Sequence, residues 1–153
     1  MSTFDHFVLF TLDEHRYALI LSAVIRVVRT VEITSLPKAP DIVRGVVNVQ
    51  GLVIPVVDIR KRFRLPEREM ELSDQLIIAS TLGRTVALVV DAVDGVIELA
   101  NQEMIPPERI LSDTEYVEGV IKLEEGLVLI HDLDKFLSCE EDKKLDAALK
   151  KKN

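Results

Sequence analysis

Four aspartates, Asp58, Asp91, Asp94 and Asp132, fall at the ends of apolar runs, where carboxylates could gather around a divalent cation. An aspartate at a strand end more often accepts turn hydrogen bonds from backbone N–H groups, and that reading outweighs the cation site. His6, His15 and His131 have no second ligand at metal spacing, which favours structural histidines over ligands or general bases. Cys139 is opposed as a thiolate by Glu140 and Glu141, although a helix N-terminus would pull the other way, and it receives no role. The basic run Arg60-Lys61-Arg62-Phe63-Arg64 could meet phosphate or an acidic protein surface. A solvated face is the preferred reading, with Phe63 as a small anchor into the core. No GxGxxG, Walker A, HExxH, CxxC or GxSxG pattern occurs, so phosphate-cradling, zinc and nucleophile-elbow mechanisms lack sequence support. The expectation is a non-enzymatic protein with no catalytic residues, no metal and no cofactor.

The elements that must position these residues are mostly strands. Leu36 to Arg64 organises the chain: Pro37 and Pro40 block a helix, Asp41 to Arg44 reads as a one-turn helix, and Gly45 to Gln50 and Leu52 to Ile59 form a hairpin. Gly51 supplies the positive φ of the turn, and Pro55 belongs at a sheet edge or bulge. Upstream, Phe4 to Leu12 is a strand apolar on both faces, as between two sheets, and Arg16 to Leu21 returns after a polar turn. Ala23 to Val28, capped by Ser22, is expected to be a short helix, followed by a strand over Thr30 to Ser35. Downstream, strands are expected at Gln75 to Ser80, Arg84 to Val90 and Val93 to Leu99, then a long loop from Asn101 to Thr114. Ser138-Cys139-Glu140-Glu141 has the capping-box pattern of a C-terminal helix.

Asp41 to Ile59 (DIVRGVVNVQGLVIPVVDI) is echoed by Glu115 to Leu133 (EYVEGVIKLEEGLVLIHDL), with Gly45 matching Gly119, and Asp58 matching Asp132 once one insertion and one deletion are allowed. Two similar hairpins imply two half-structures related by duplication. The domain expected is therefore 1–138, two interlocked barrels with an internal boundary near 65–73, followed by a helix or tail over 139–153.

The run LPKAP, RGVVN, QG, IPVVDIR and RF closely resembles the signature of the CheW family of chemotaxis coupling proteins, and the likeness extends from about Phe4 to Leu137. The resemblance implies an all-β fold of two small five-stranded SH3-like β-barrels packed together, with short helical turns and a C-terminal helix. It implies a partner pair: the cytoplasmic tip of a methyl-accepting chemoreceptor and the regulatory domain of a CheA-type histidine kinase. The family's receptor-groove positions correspond to Val24, Arg26, Gly45 and Gln50, with Val27 added here because Val24 and Val27 could form an apolar stripe at i, i+3; core burial of both is the alternative. Gln50 replaces the family's arginine before the turn glycine, and Arg26 stands where some relatives carry an acid, so receptor binding is the property these substitutions bear on. A kinase-binding edge is placed at Leu12, Ile54, Pro55 and Val56, read as exposed.

Composition agrees with a protein-binding role. A net charge of −7 argues against a general nucleic-acid binder. The lone cysteine excludes an internal disulfide and suits a reducing compartment. The longest uncharged stretch, Gly45 to Val57, holds Gly51 and Pro55 and falls short of the ~20 apolar residues of a spanning helix. The start MSTFDHF has neither a basic opening nor an apolar core of a secretory signal, so a cytoplasmic adaptor without direct membrane insertion is expected. The alternatives are an adaptor of a non-flagellar chemosensory pathway, a kinase-binding variant with weak receptor binding, or a small-molecule-binding β-barrel, the last of which would require a deep polar cavity.

Overall fold

Val, Ile and Leu at alternating positions, broken by Gly, Pro and Asp, favour short pleated strands over helices. In the computed structural model, which describes residues 4–81, 83–100, 105, 117–123 and 126–150, they form ten. These are β1 (Phe4–Leu12), β2 (His15–Ile20), β3 (Val24–Arg29), β4 (Val43–Val49), β5 (Leu52–Val57), β6 (Gln75–Thr81), β7 (Arg84–Val90), β8 (Ala92–Ala100), β9 (Val117–Leu123) and β10 (Gly126–His131). Two helices follow in place: α1 (Ile59–Arg62), and α2 (Cys139–Lys150).

The strands build two five-stranded sheets, ordered β8-β1-β2-β10-β9 and β3-β6-β7-β5-β4. The orders are the same once β3 is matched to β8, β6 to β1, β7 to β2, β5 to β10 and β4 to β9. In each, one parallel contact joins the hairpins: β2 to β10 in the first sheet, β7 to β5 in the second. The duplication read from the sequence is therefore present, and its register needs no insertion or deletion. Gly45 pairs with Val56 as Gly119 pairs with Ile130, Val49 with Leu52 as Leu123 with Gly126. Thr34 bridges to Val46 as Ile105 bridges to Val120.

The sheets are interleaved in the chain. The first is made of β1 and β2 together with β8 to β10, while the second holds β3 to β7. The chain crosses between them at the 3-10 turn Leu21–Ala23 and again at Asp91. The connector 65–73 lies between β5 and β6, inside the second barrel, so it does not mark the passage between the two. It is polar because it runs over the surface.

Burial of β1 on both faces follows from this arrangement. Phe7 and Leu9 fill the first barrel, and Phe10 and Leu12 point into a cluster shared with Ile77, Leu88 and Val57 of the second. Val47, Ile54 and Val56 fill the second barrel with Leu76 and Ile78. Helix α2 completes the shared cluster with Leu145 and Ala148. It opens on the expected capping box: Ser138 Oγ accepts from the Glu141 N–H at 3.1 Å and Glu141 Oε1 accepts from the Ser138 N–H at 2.8 Å.

Three local expectations are corrected. Val24–Arg29 is a strand, with only Leu21–Ala23 before it in a 3-10 turn, because the β-branched run pairs with β6; a bulge at Ile25 between Val24 and Arg26 produced the helix-like spacing. Asp41-Ile42 is a turn closed by the Val43 N–H on the Pro40 carbonyl at 2.9 Å, and the strand begins at Val43. Thr30–Ser35 reaches the sheet only at Thr34, whose N–H and C=O both bond Val46 at 2.8 Å. The long loop read at Asn101–Thr114 lies outside the described residues apart from Ile105.

Candidate interaction site

Of the predicted groove residues Val24, Arg26, Val27, Gly45 and Gln50, the structure brings Arg26 and Gln50 together where the second barrel closes. Strands β3 and β4 are the two ends of its sheet, and Arg26 Nη1 on β3 donates to Gln50 Oε1 in the β4–β5 turn at 2.7 Å. Gln50 (φ 51°) and Gly51 (φ 86°) form a two-residue turn with both residues left-handed, the geometry that matches the twist of a hairpin. The Gly51 N–H donates to Asn48 Oδ1 at 2.9 Å, fixing that turn. Arg26 and Gln50 are exposed; Val24 and Val27 are half-buried against the shared cluster, which makes them largely core.

Gly45 has a structural part in strand β4. It is buried at a bulge with φ 152°, and a Cβ there would lie 2.2 Å from the Thr34 carbonyl oxygen. Only glycine lets the Thr34 backbone lie against β4. Ile25, Leu52 and Val53 are more than half exposed beside Arg26 and Gln50 in the chain, and the sequence reading missed them. The signal available was Leu52-Val53 directly after a tight turn, where a hairpin projects beyond its sheet.

The edge read at Leu12, Ile54, Pro55 and Val56 is interior. Leu12 and Val56 are fully buried, Ile54 nearly so, and Pro55 is buried too. Strand β5 lies between β4 and β7, so it has no open side. Pro55 is tolerated because it faces Val46, whose own N–H and C=O are turned outward to Thr34, and because pairing with β7 starts only at Val56.

The second assembly of charged groups joins the barrels. Arg60, at the start of α1 and 7% exposed, donates from Nη1 to Asp13 Oδ1 and from Nη2 to Asp91 Oδ1, each at 2.7 Å. Arg68 Nη2 reaches Asp91 Oδ1 at 2.5 Å and Asp74 Oδ1 at 2.8 Å, and the Asp13 N–H donates to Asp91 Oδ2 at 2.9 Å. Burial opposes charge on Asp91, but its bonds from Arg60, the Asp13 N–H and Arg68 outweigh that and hold its carboxyl below its ordinary pKa. Arg60 is thus part of the core, against the solvated-face reading of its run. Its partners, Asp13 in the β1–β2 turn and Asp91 in the β7–β8 link, are too distant in sequence to be read from it.

The remaining candidates are structural. Asp58 Oδ1 caps α1 through the Lys61 N–H, Asp132 Oδ1 accepts from the Asp134 N–H, and Asp94 Oδ2 accepts from Thr11. His131 is buried and stacks on Phe63 with ring centroids 4.0 Å apart, within a set that includes Tyr17 and Phe136. Phe63 is the anchor expected. Among the described residues no group of three or more His, Cys, Asp or Glu is placed to hold a metal, and no helix is long and apolar enough to cross a membrane.

Two matched five-stranded barrels sharing one core, with a polar seam flanked by exposed aliphatic side chains, define an all-β domain of the paired SH3-like class. The chain belongs to the CheW-like family, whose domain model matches residues 6–141, and whose members are scaffold or adaptor proteins of chemotaxis. It is 30% identical to the chemotaxis protein CheW of Klebsiella aerogenes over 90% of this chain and 84% of that one. It is also 30% identical to the CheW of Bacillus subtilis, over 92% and 91%. Among solved structures, the scaffolding protein TtCheW from Thermoanaerobacter tengcongensis superposes with a TM-score of 0.81 at 33% identity, covering 91% of this chain and 96% of that one.

Proposed function

We propose that this protein is a cytoplasmic adaptor that couples the cytoplasmic tip of a chemoreceptor to the regulatory domain of a CheA-type histidine kinase. The observation that carries the reading is the Arg26–Gln50 bond across the barrel seam, flanked by Ile25, Leu52 and Val53. A guanidinium held at one nitrogen keeps its other N–H groups for a carboxylate, and the aliphatic neighbours suit the apolar stripe of a helical receptor tip. Coupling follows if receptor states differ in affinity for this seam, since a partner shifts an equilibrium only by its differential binding.

The seam also supports a second reading. The Gln50 amide oxygen is occupied by Arg26, where relatives offer an arginine, which favours a kinase-binding variant with weak receptor affinity. Purified protein titrated separately with a CheA regulatory domain and a receptor-tip fragment tests both. Binding to both, with receptor affinity reduced tenfold or more by Arg26→Ala, supports coupling. Kinase binding alone, with receptor binding gained in Gln50→Arg, supports the variant. Binding to neither overturns both.

A further inference from the structure

Six charged side chains, Arg44, Asp58, Arg60, Glu67, Arg68 and Glu69, line one cleft of about 360 Å³ between β4, the start of α1 and the connector that follows it. Two of the six are already matched. Arg60 and Arg68 donate to Asp13, Asp74 and Asp91, and they also fix the connector: Arg60 Nη1 reaches the Pro66 carbonyl at 3.3 Å and Arg68 Nη1 the Glu69 carbonyl at 3.0 Å. Glu67 and Glu69 therefore stand on a segment that is already held. The other four have unused capacity. The Arg44 side chain, half-buried on β4, makes no hydrogen bond or ion pair among the described residues, and neither do the carboxylates of Glu67 and Glu69. Asp58 uses Oδ1 to accept the Lys61 N–H at 3.1 Å, and its Oδ2 has no partner among the described residues. Opposite charges that share a cleft yet stand too far apart to pair leave a gap that a molecule with complementary charges can span. Here one guanidinium faces three carboxylates, which favours a ligand with a carboxylate at one point and an excess of positive charge elsewhere.

We propose that this cleft binds a free basic amino acid, lysine or arginine, with the α-carboxylate on Arg44 and the α-ammonium and side-chain cation on Asp58, Glu67 and Glu69. The volume lies at the small end of the roughly 300–1,000 Å³ range of ligand sites, which suits a single amino acid. The guanidinium of Arg44 can take the carboxylate through two parallel N–H bonds, the geometry that gives such pairs their strength. The site does not depend on the adaptor reading, since it uses neither Arg26 nor Gln50. A bound ligand joins β4 to the connector and stabilises the folded chain by mass action.

The test titrates the full chain, by calorimetry and by thermal midpoint, with L-arginine, L-lysine, L-glutamate and agmatine, which keeps both cations of arginine and lacks its carboxylate, at matched ionic strength. The expected result is saturable binding of L-arginine or L-lysine with a Kd of about 1 mM or tighter, agmatine weaker by about tenfold, and no binding of L-glutamate. Arg44→Gln should bring L-arginine down to the affinity of agmatine while leaving agmatine unchanged, which also shows that the variant is folded. Glu67→Gln combined with Glu69→Gln should weaken both ligands. Since these side chains bond to nothing in the chain, the ligand-free midpoint should be unchanged in each variant. No saturable binding of either basic amino acid overturns the proposal. So does agmatine bound as tightly as L-arginine, which would make the cleft a plain cation site, or L-arginine affinity untouched by Arg44→Gln. Binding of L-glutamate at equal strength overturns it as well, because the excess of carboxylates would then select nothing.

Discussion

At the scale of single residues, Gly45 and Gly51 look alike in the sequence and differ in what they demand. Gly51 sits in open space with φ 86°, so an alanine there meets only the left-handed backbone cost, about 1–2 kcal/mol. Gly45→Ala adds a Cβ 2.2 Å from a backbone oxygen that a flexible side chain cannot yield, and we expect a loss of about 2–4 kcal/mol in urea unfolding. Equal costs for the two variants would show that Thr34 can move away from β4. Asp91 gives a pH signature. Its pKa is lowered on folding, so its stabilisation is complete above the unfolded carboxylate value and lost as pH falls through the folded one. Stability should therefore fall below about pH 4, and Asp91→Asn should lower stability at neutral pH while flattening that fall. A curve as steep in the variant as in wild type would reject this role. The aspartates were visible in the sequence as strand-end groups, but the guanidinium that Asp91 meets comes from a run that reads as solvated. Ion pairs between residues tens of positions apart leave no local trace.

Elements were legible where their cause is local. Turn glycines, β-branched runs and the Ser138–Glu141 capping box place the hairpins and α2 without any tertiary contact. Strand β3 reads as a helix in the sequence because an extra residue at Ile25 breaks the alternation of its run, so Val24 and Val27 fall on one side at helical spacing. Arg26 and Gln50, which the family likeness puts in one group, are joined by a hydrogen bond that depends on barrel closure, which pairs opposite ends of a sheet. Helix α2 illustrates the converse. Its cap is local, but its hold on the barrels is made by Leu145, fully buried in the shared cluster, and by Arg84 Nε on Asp142 Oδ1 at 3.0 Å. We expect Leu145→Ala to cost about 2–4 kcal/mol and Ser138→Ala about 1 kcal/mol in denaturant unfolding. A negligible cost for Leu145→Ala would mean that α2 is a loosely attached tail.

The whole molecule is a duplication whose halves cannot be separated by one cut. The first barrel takes β1 and β2 from before the second and β8 to β10 from after it, so each depends on the other for chain closure. The shared cluster draws side chains from both sheets and from α2, and the Arg60–Asp91 pair ties the end of β5 to the β7–β8 crossing above it. For an adaptor this matters, because a displacement at the seam of one barrel is carried to the other only if the two do not yield independently. The expectation is a single unfolding transition, with far-UV circular dichroism and hydrogen exchange of β5 and β10 reporting the same free energy. Arg60→Leu leaves Asp13 and Asp91 without their buried cation and should lower that common value by on the order of 3 kcal/mol, in both strands alike. If β10 exchanged at clearly lower free energy than β5, or if Arg60→Leu loosened only one of them, the barrels would be separate folding units and the rigid coupling argued here would fail.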